Sequence, residues 1–109
     1  MRRGEIWTAA AGTGYVGKPR PVVIVQDDRF DATDSVTVCA FTTDPTSAPL
    51  IRLLIVPDTS NGLGEPSSLM VDKITTVQRS KLGEPVGRLA DEDMLRLARS
   101  VIVFLGLAN

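Results

Sequence analysis

Two hydrophobic periods divide the chain. Up to about residue 89 the apolar residues come in short β-branched or alternating stretches, broken by proline, glycine and acidic segments. Beyond residue 90 they recur at steps of three and four. The first pattern predicts strands and the second a helix. Residues 4–9, with Ile6, Trp7 and Thr8, predict a first strand, and the small, glycine-bearing stretch at 10–17 a flexible loop. Pro21-Val22-Val23-Ile24-Val25-Gln26 predicts a strand buried on both faces and entered through prolines.

The polar segment 27–35 turns the chain, and residues 36–41 restart the strand pattern, which implies an antiparallel pair with the previous strand. Pro45 and Pro49 break the pattern, residues 50–56 resume it, and a loop rich in Gly, Asn and Ser covers 58–66. Residues 68–77 predict the last long strand and 85–89 a short one. From Asp91, the positions Met94, Leu97, Ala98, Val101, Phe104 and Leu105 form one helical stripe. Asp91, Glu92 and Asp93 lie at its N-terminal end, where the macrodipole favours negative charge, and Gly106 is a natural stop. The elements predict a mainly β fold with a C-terminal helix: a small, strongly bent antiparallel barrel whose loops carry its function.

Composition narrows the chemistry. The 109 residues fit one domain, residues 1–109, with 43% hydrophobic content and no apolar run of transmembrane length. The basic start, Met1-Arg2-Arg3, is not followed by a signal-length apolar stretch, so a cytoplasmic location without membrane attachment is expected. There is no histidine and a single cysteine, Cys39, between apolar Val38 and Ala40. A zinc site or a Ser-His triad is thereby excluded, no metal or cofactor is expected, and Cys39 reads as a buried structural thiol. The formal net charge of −1 means that nucleic-acid binding must come from a local patch or a dimer groove.

Several segments resemble the MazF/PemK toxin family. They are Arg3-Gly4-Glu5-Ile6-Trp7, Arg20-Pro21-Val22-Val23-Ile24-Val25-Gln26, Ala40-Phe41-Thr42-Thr43, Asn61-Gly62-Leu63 with Ser67-Ser68, and Val71-Asp72-Lys73-Ile74-Thr75-Thr76-Val77. Lys81-Leu82, a Val86-Gly87 turn and the terminal helix complete the series, so the match covers essentially the whole chain. The resemblance implies an SH3-like barrel, a homodimer and a cognate antitoxin partner. It also implies a growth-inhibiting endoribonuclease that cuts single-stranded RNA, leaving a cyclic phosphate and a 5′-hydroxyl. By the same resemblance Arg20 matches the family's catalytic arginine, Thr42 its catalytic threonine with Thr43 adjacent, and Asp72 a carboxylate proposed as the base.

These residue types suit that chemistry. RNA supplies its own nucleophile, the 2′-hydroxyl, so a metal-free nuclease needs to deprotonate it, stabilise a pentavalent phosphorane and protonate the leaving oxygen. A guanidinium grips two phosphoryl oxygens and stays charged in a partly dry site. Arginine is a poor base, because with a pKa of about 13 it is neutral roughly once in a million at pH 7, a handicap of about 8 kcal/mol. Asp72 shares strand parity with Met70 and Ile74, so either a bulge turns it outward as a base or it is a buried, hydrogen-bonded aspartate.

The chain departs from the family in two places. The loop before Arg20, often bearing a His or Glu in the family, reads Gly14-Tyr15-Val16-Gly17-Lys18, and the family's later Gln and Arg are Lys73 and Thr75. Tyr15 suits base stacking, and Lys18, Lys73 and Arg79 suit phosphate contact, with Lys81 and Arg88 as further members of a basic groove. Thr43 joins this RNA-binding set. Two alternatives remain at this level: a CcdB-like toxin that shares the fold and binds gyrase without cutting RNA, and an SH3-like binding module without toxicity.

Overall fold

A computed structural model describes residues 1–10 and 19–108. The loop expected at 10–17 falls almost wholly outside them. Among the described residues the order is β1 (Glu5–Ala9), β2 (Arg20–Ile24), β3 (Ser35–Thr42), β4 (Arg52–Ile55), β5 (Ser67–Met70), β6 (Thr75–Gln78), β7 (Leu82–Arg88) and the helix α1 (Asp91–Phe104). Every pairing is antiparallel, along the path β4-β5-β3-β2-β1-β7, with β6 also beside β3. The mainly β fold with a terminal helix is as the periodicity predicts. The sheet is an open path rather than a closed barrel, since its end strands β4 and β7 are not paired with each other. Arg96 of α1 reaches the outer edge of β4, where Nη1 donates to the Leu54 carbonyl at 3.5 Å.

The strand predicted over 68–77 is divided. Both halves lie along one edge of β3, but Val38 stands opposite Thr75 while Phe41 stands opposite Leu69. The register slips by three residues, and the 3-10 turn Val71–Lys73 takes up the slack. On its other edge β3 pairs with β2, Val22 opposite Ala40 and Ile24 opposite Val38.

Strand parity sorts the core into two clusters on opposite faces. Ile6, Val23, Cys39, Phe41 and Leu69 face α1, where Met94 and Leu97 cover them. Ala9, Val22, Ile24, Val36, Val38 and Leu82 form the second cluster, with Trp7 and Val77 packed against it. Val22, Val23 and Ile24 are all buried, which is why the sequence there runs apolar without alternation. Cys39 is fully buried, and its Sγ donates to the Met70 carbonyl at 3.4 Å. Burial pushes its thiol pKa up to about 12, so it stays protonated and inert.

Phe104 and Leu105, expected on the buried helical stripe, are instead 48% and 59% exposed. The last helical turn carries them past the packed core. Gly106 ends the helix with φ +73°, as its position predicts.

The loop before β5 is tied by side chains. Buried Asn61 accepts from the Leu63 amide at 3.0 Å and donates to the Val56 carbonyl at 3.0 Å, while Asp58 accepts from the amides of Ser60 and Asn61, each at 2.7 Å. This loop lies against Gly87, which the resemblance puts at a turn but which lies inside β7, opposite Ile6. A Cβ on Gly87 would meet the Ser60 carbonyl oxygen at 2.4 Å and Asn61 backbone at 2.5 Å. Gly87→Ala is expected to lower stability by about 1–3 kcal/mol, measured as a fall in the urea unfolding midpoint.

Candidate active site

The pairing of β3 decides which face Arg20 and Thr42 take. The β2–β3 ladder ends at Val22 and Ala40, and Arg20 and Thr42 lie two residues past that last pair, on the same face of the sheet by strand parity. On the other side Thr42 pairs with Ser68, and Ser68 with Leu54. Directly opposed residues on antiparallel strands share a face, so Thr42 and Ser68 lie on the face of Ala40, and Arg20 lies on that same face with Val22, the face of the second core cluster. Arg20 is exposed at the start of β2 and Thr42 is half-buried at the end of β3. The Thr42 hydroxyl accepts from the Asp44 amide at 3.2 Å, which leaves its own hydrogen available to donate.

Thr42 and Thr43 stand at one wall of a cleft of about 620 Å³, bounded by the 43–49 loop, β4, β5 and the side of α1. Asp44, Arg52, Ser68 and Arg96 also line it. Asp72 faces elsewhere, into a second, mainly apolar cleft of about 510 Å³ beneath the end of α1, beside Val71, Ile74 and Leu105. The turn Val71–Lys73 is the bulge that parity required to move Asp72 off the core, and its side chain keeps 24% exposure.

There Asp72 is ion-paired and hydrogen-bonded to Arg52, whose Nη1 also donates to the Ile51 carbonyl at 3.0 Å. The hydrogen bond from Arg52, and its charge, hold the Asp72 carboxyl below the usual aspartate range. A carboxylate so held is fully ionised but a weaker proton acceptor.

The remaining candidates are spread out. Lys73 is exposed on the 3-10 turn and Thr43 just beyond β3. The Arg79 guanidinium folds onto its own neighbourhood, Nε donating to the Thr33 carbonyl and Nη1 to the Met1 thioether at 3.4 Å. Tyr15 and Lys18 lie outside the described residues. Arg52 and Arg96 were not singled out in the sequence. A lone arginine between Ile51 and Leu53 in an apolar strand was the available signal for Arg52; Arg96, on the polar side of an amphipathic helix, carried none.

Comparison with known proteins agrees with this architecture. The family described as PemK-like, MazF-like toxin of type II toxin-antitoxin systems matches residues 2–105. The chain is 62% identical, over the full length of both, to a probable endoribonuclease MazF of Mycolicibacterium smegmatis. Among solved structures, Mycobacterium tuberculosis toxin MazF-mt6 is similar with a TM-score of 0.78 at 25% identity, over 94% of this chain and 96% of that one. An endoribonuclease in complex with its cognate antitoxin, from a mycobacterial species, also gives 0.78 at 23% identity, over 100% of this chain and 98% of that one.

The Arg52–Asp72 pair has a testable pH signature. Because the folded pKa of Asp72 is depressed, its contribution to stability is complete above the ordinary value of 3.8 and is lost as pH falls through the lower folded value. Asp72→Asn is therefore expected to be less stable than the parent at neutral pH, with the difference closing in acid below pH 3.8. Urea unfolding of both proteins across that range checks it.

Proposed function

Because the chain belongs to the PemK-like, MazF-like toxins of type II toxin-antitoxin systems and is an endoribonuclease of that type, we propose that it cuts single-stranded RNA without a metal ion, at Arg20 and Thr42. The observation that carries this reading is the family match along residues 2–105, supported by the strand parity that puts those two residues on one face of the sheet. The 62% identical relative is named for RNA cleavage, which favours this over the gyrase-binding alternative.

The 2′-hydroxyl attacks the adjacent phosphorus, a P–O bond forms to give the 2′,3′-cyclic phosphate, and the 5′-oxygen leaves. Arg20 holds the charge that builds on the phosphoryl oxygens and delivers a proton to the leaving oxygen, while Thr42 donates its free hydroxyl hydrogen to a phosphoryl oxygen. Asp72 is committed to Arg52 in a different cleft, so the 2′-hydroxyl proton passes to water and Asp72 positions Arg52. Thr43 and Lys73, with Tyr15 and Lys18, contact the RNA strand, while Arg79 is engaged with Thr33 and Met1.

The protein acts in the cytoplasm as a homodimer, for which the end of α1 offers apolar surface in Ile102, Phe104, Leu105 and Leu107. A cognate antitoxin covers the RNA groove and blocks it; a similar endoribonuclease forms a complex with its own cognate antitoxin.

Purified protein is expected to cleave single-stranded RNA in EDTA, leaving 5′-hydroxyl ends. Arg20→Ala should lose on the order of 10²–10³-fold in rate while keeping the parent's circular dichroism. A requirement for added metal would sink the mechanism, and a folded Arg20→Ala protein as fast as the parent would remove Arg20 from it. Sedimentation equilibrium should give twice the chain mass, and Phe104→Asp should return it to the monomer; a monomeric parent would refute the dimer.

A further inference from the structure

The cleft beside Thr42 holds groups that bond breaking does not use. Arg52 and Arg96 enter it from β4 and α1, and each commits only Nη1 to protein acceptors: Arg52 to Ile51 and Asp72, Arg96 to Leu54 and, at 2.8 Å, Asp93. Their Nε and Nη2 donors remain uncommitted among the described residues. Asp44 spends one carboxylate oxygen, Oδ1, on the Thr46 amide at 2.9 Å and the Thr46 hydroxyl at 2.7 Å, leaving Oδ2 without a protein donor among those residues. The Thr46 hydroxyl and amide hold the Asp44 carboxyl below its ordinary range, so it is an anionic acceptor at neutral pH. Pro45, Pro49 and exposed Leu54 add flat apolar surface to the walls. The volume of about 620 Å³ falls within the roughly 300–1,000 Å³ of small-ligand pockets.

A ligand that satisfies all of this carries an anion for the guanidinium groups, a planar face for the apolar walls and N–H donors for the carboxylate. A nucleotide of RNA has each of these. The bases differ in what they offer a carboxylate. Cytosine and adenine present an amino group, and guanine presents adjacent N–H and amino donors. Uracil presents one N–H flanked by two carbonyl oxygens, which a carboxylate repels.

We propose that this cleft is the subsite for a nucleotide adjoining the scissile phosphate, and that Asp44 selects an amino-bearing base over uracil there while Arg52 and Arg96 hold its phosphate. The proposal rests on the nuclease reading and adds to it a specificity determinant. Thr42, on the rim, joins the subsite to the reacting phosphate.

The test maps 5′-hydroxyl ends left on a mixed-sequence RNA by the parent and by Asp44→Asn, an isosteric change that keeps an oxygen for the Thr46 bonds. The parent should disfavour uracil about tenfold at one position beside the cut. Asn keeps its oxygen for Thr46 and turns its NH2 toward the base, where it donates to a uracil carbonyl oxygen that a carboxylate repels, and it should raise uracil there by a similar factor. Arg96→Gln, at an exposed helix position, should weaken binding of an oligonucleotide blocked by 2′-deoxyribose at the cut, with a salt dependence shallower by about one phosphate contact. Unchanged cut sequences in Asp44→Asn together with unchanged affinity in Arg96→Gln would overturn the subsite. So would loss of antitoxin binding in both variants with RNA binding intact.

If the parent cleaves no RNA, the nuclease reading fails, and the subsite is judged on binding alone. Blocked oligonucleotides carrying cytosine or uracil should then differ in affinity for the parent and lose that difference in Asp44→Asn. Equal affinities for the parent would overturn it.

Discussion

The fold turns on one strand meeting more partners than a regular ladder allows. β3 has eight residues, with β2 along one edge and two separate strands along the other. A regular ladder from Ser35 to Thr42 would need an unbroken partner, and a one-residue error in register would exchange the two faces of the strand. The three-residue turn at 71–73 reconciles the pairings. It lets β6 serve the second core cluster through Val77 while β5 serves the first through Leu69. Thr42 comes to pair with Ser68 because β3 runs on past the turn, and Asp72 leaves the core because it lies on it.

Much of this was legible in the sequence. The all-apolar run at 22–24 announced a strand buried on both faces, and the change of period near Asp91 placed the helix to within a residue or so. Hydrophobic periodicity reports burial, however, and burial does not distinguish one long strand from two collinear strands joined by a turn. Residues 68–77 therefore read as one element. Closure of the barrel was invisible for a related reason: it depends on whether β4 and β7 meet, and neither carries residues that announce an edge partner.

The candidate site was legible in part. Arg20 and Thr42 are residues whose types suit phosphoryl chemistry, and strand parity puts them on one face of the sheet. Spacing in sequence could not show that Asp72 would be claimed by Arg52, because that contact joins β4 to the turn after β5 through long side chains. Nor could it show Arg79 turned inward onto Thr33 and Met1, since a basic residue near a strand end looks the same in sequence whether it reaches solvent or a carbonyl. Periodicity also overestimated burial at Phe104 and Leu105, where the helix outruns the sheet.

The pairing of β1 with β7 matters to the order in which a ribosome makes this chain. β1 carries Ile6 and Trp7, and its second neighbour is translated more than seventy residues later. At about 5–20 residues per second that is a wait of roughly 4–17 s, during which one edge of β1 has no partner from its own chain. Ile6 gains its cover from Leu89, Met94 and Leu97 only after that interval. Synthesis thus leaves a nascent sheet with an open, apolar edge, the condition in which pairing with a neighbouring chain competes with folding. A cell that makes this protein in bursts exposes it to aggregation on the ribosome well before any nuclease is complete.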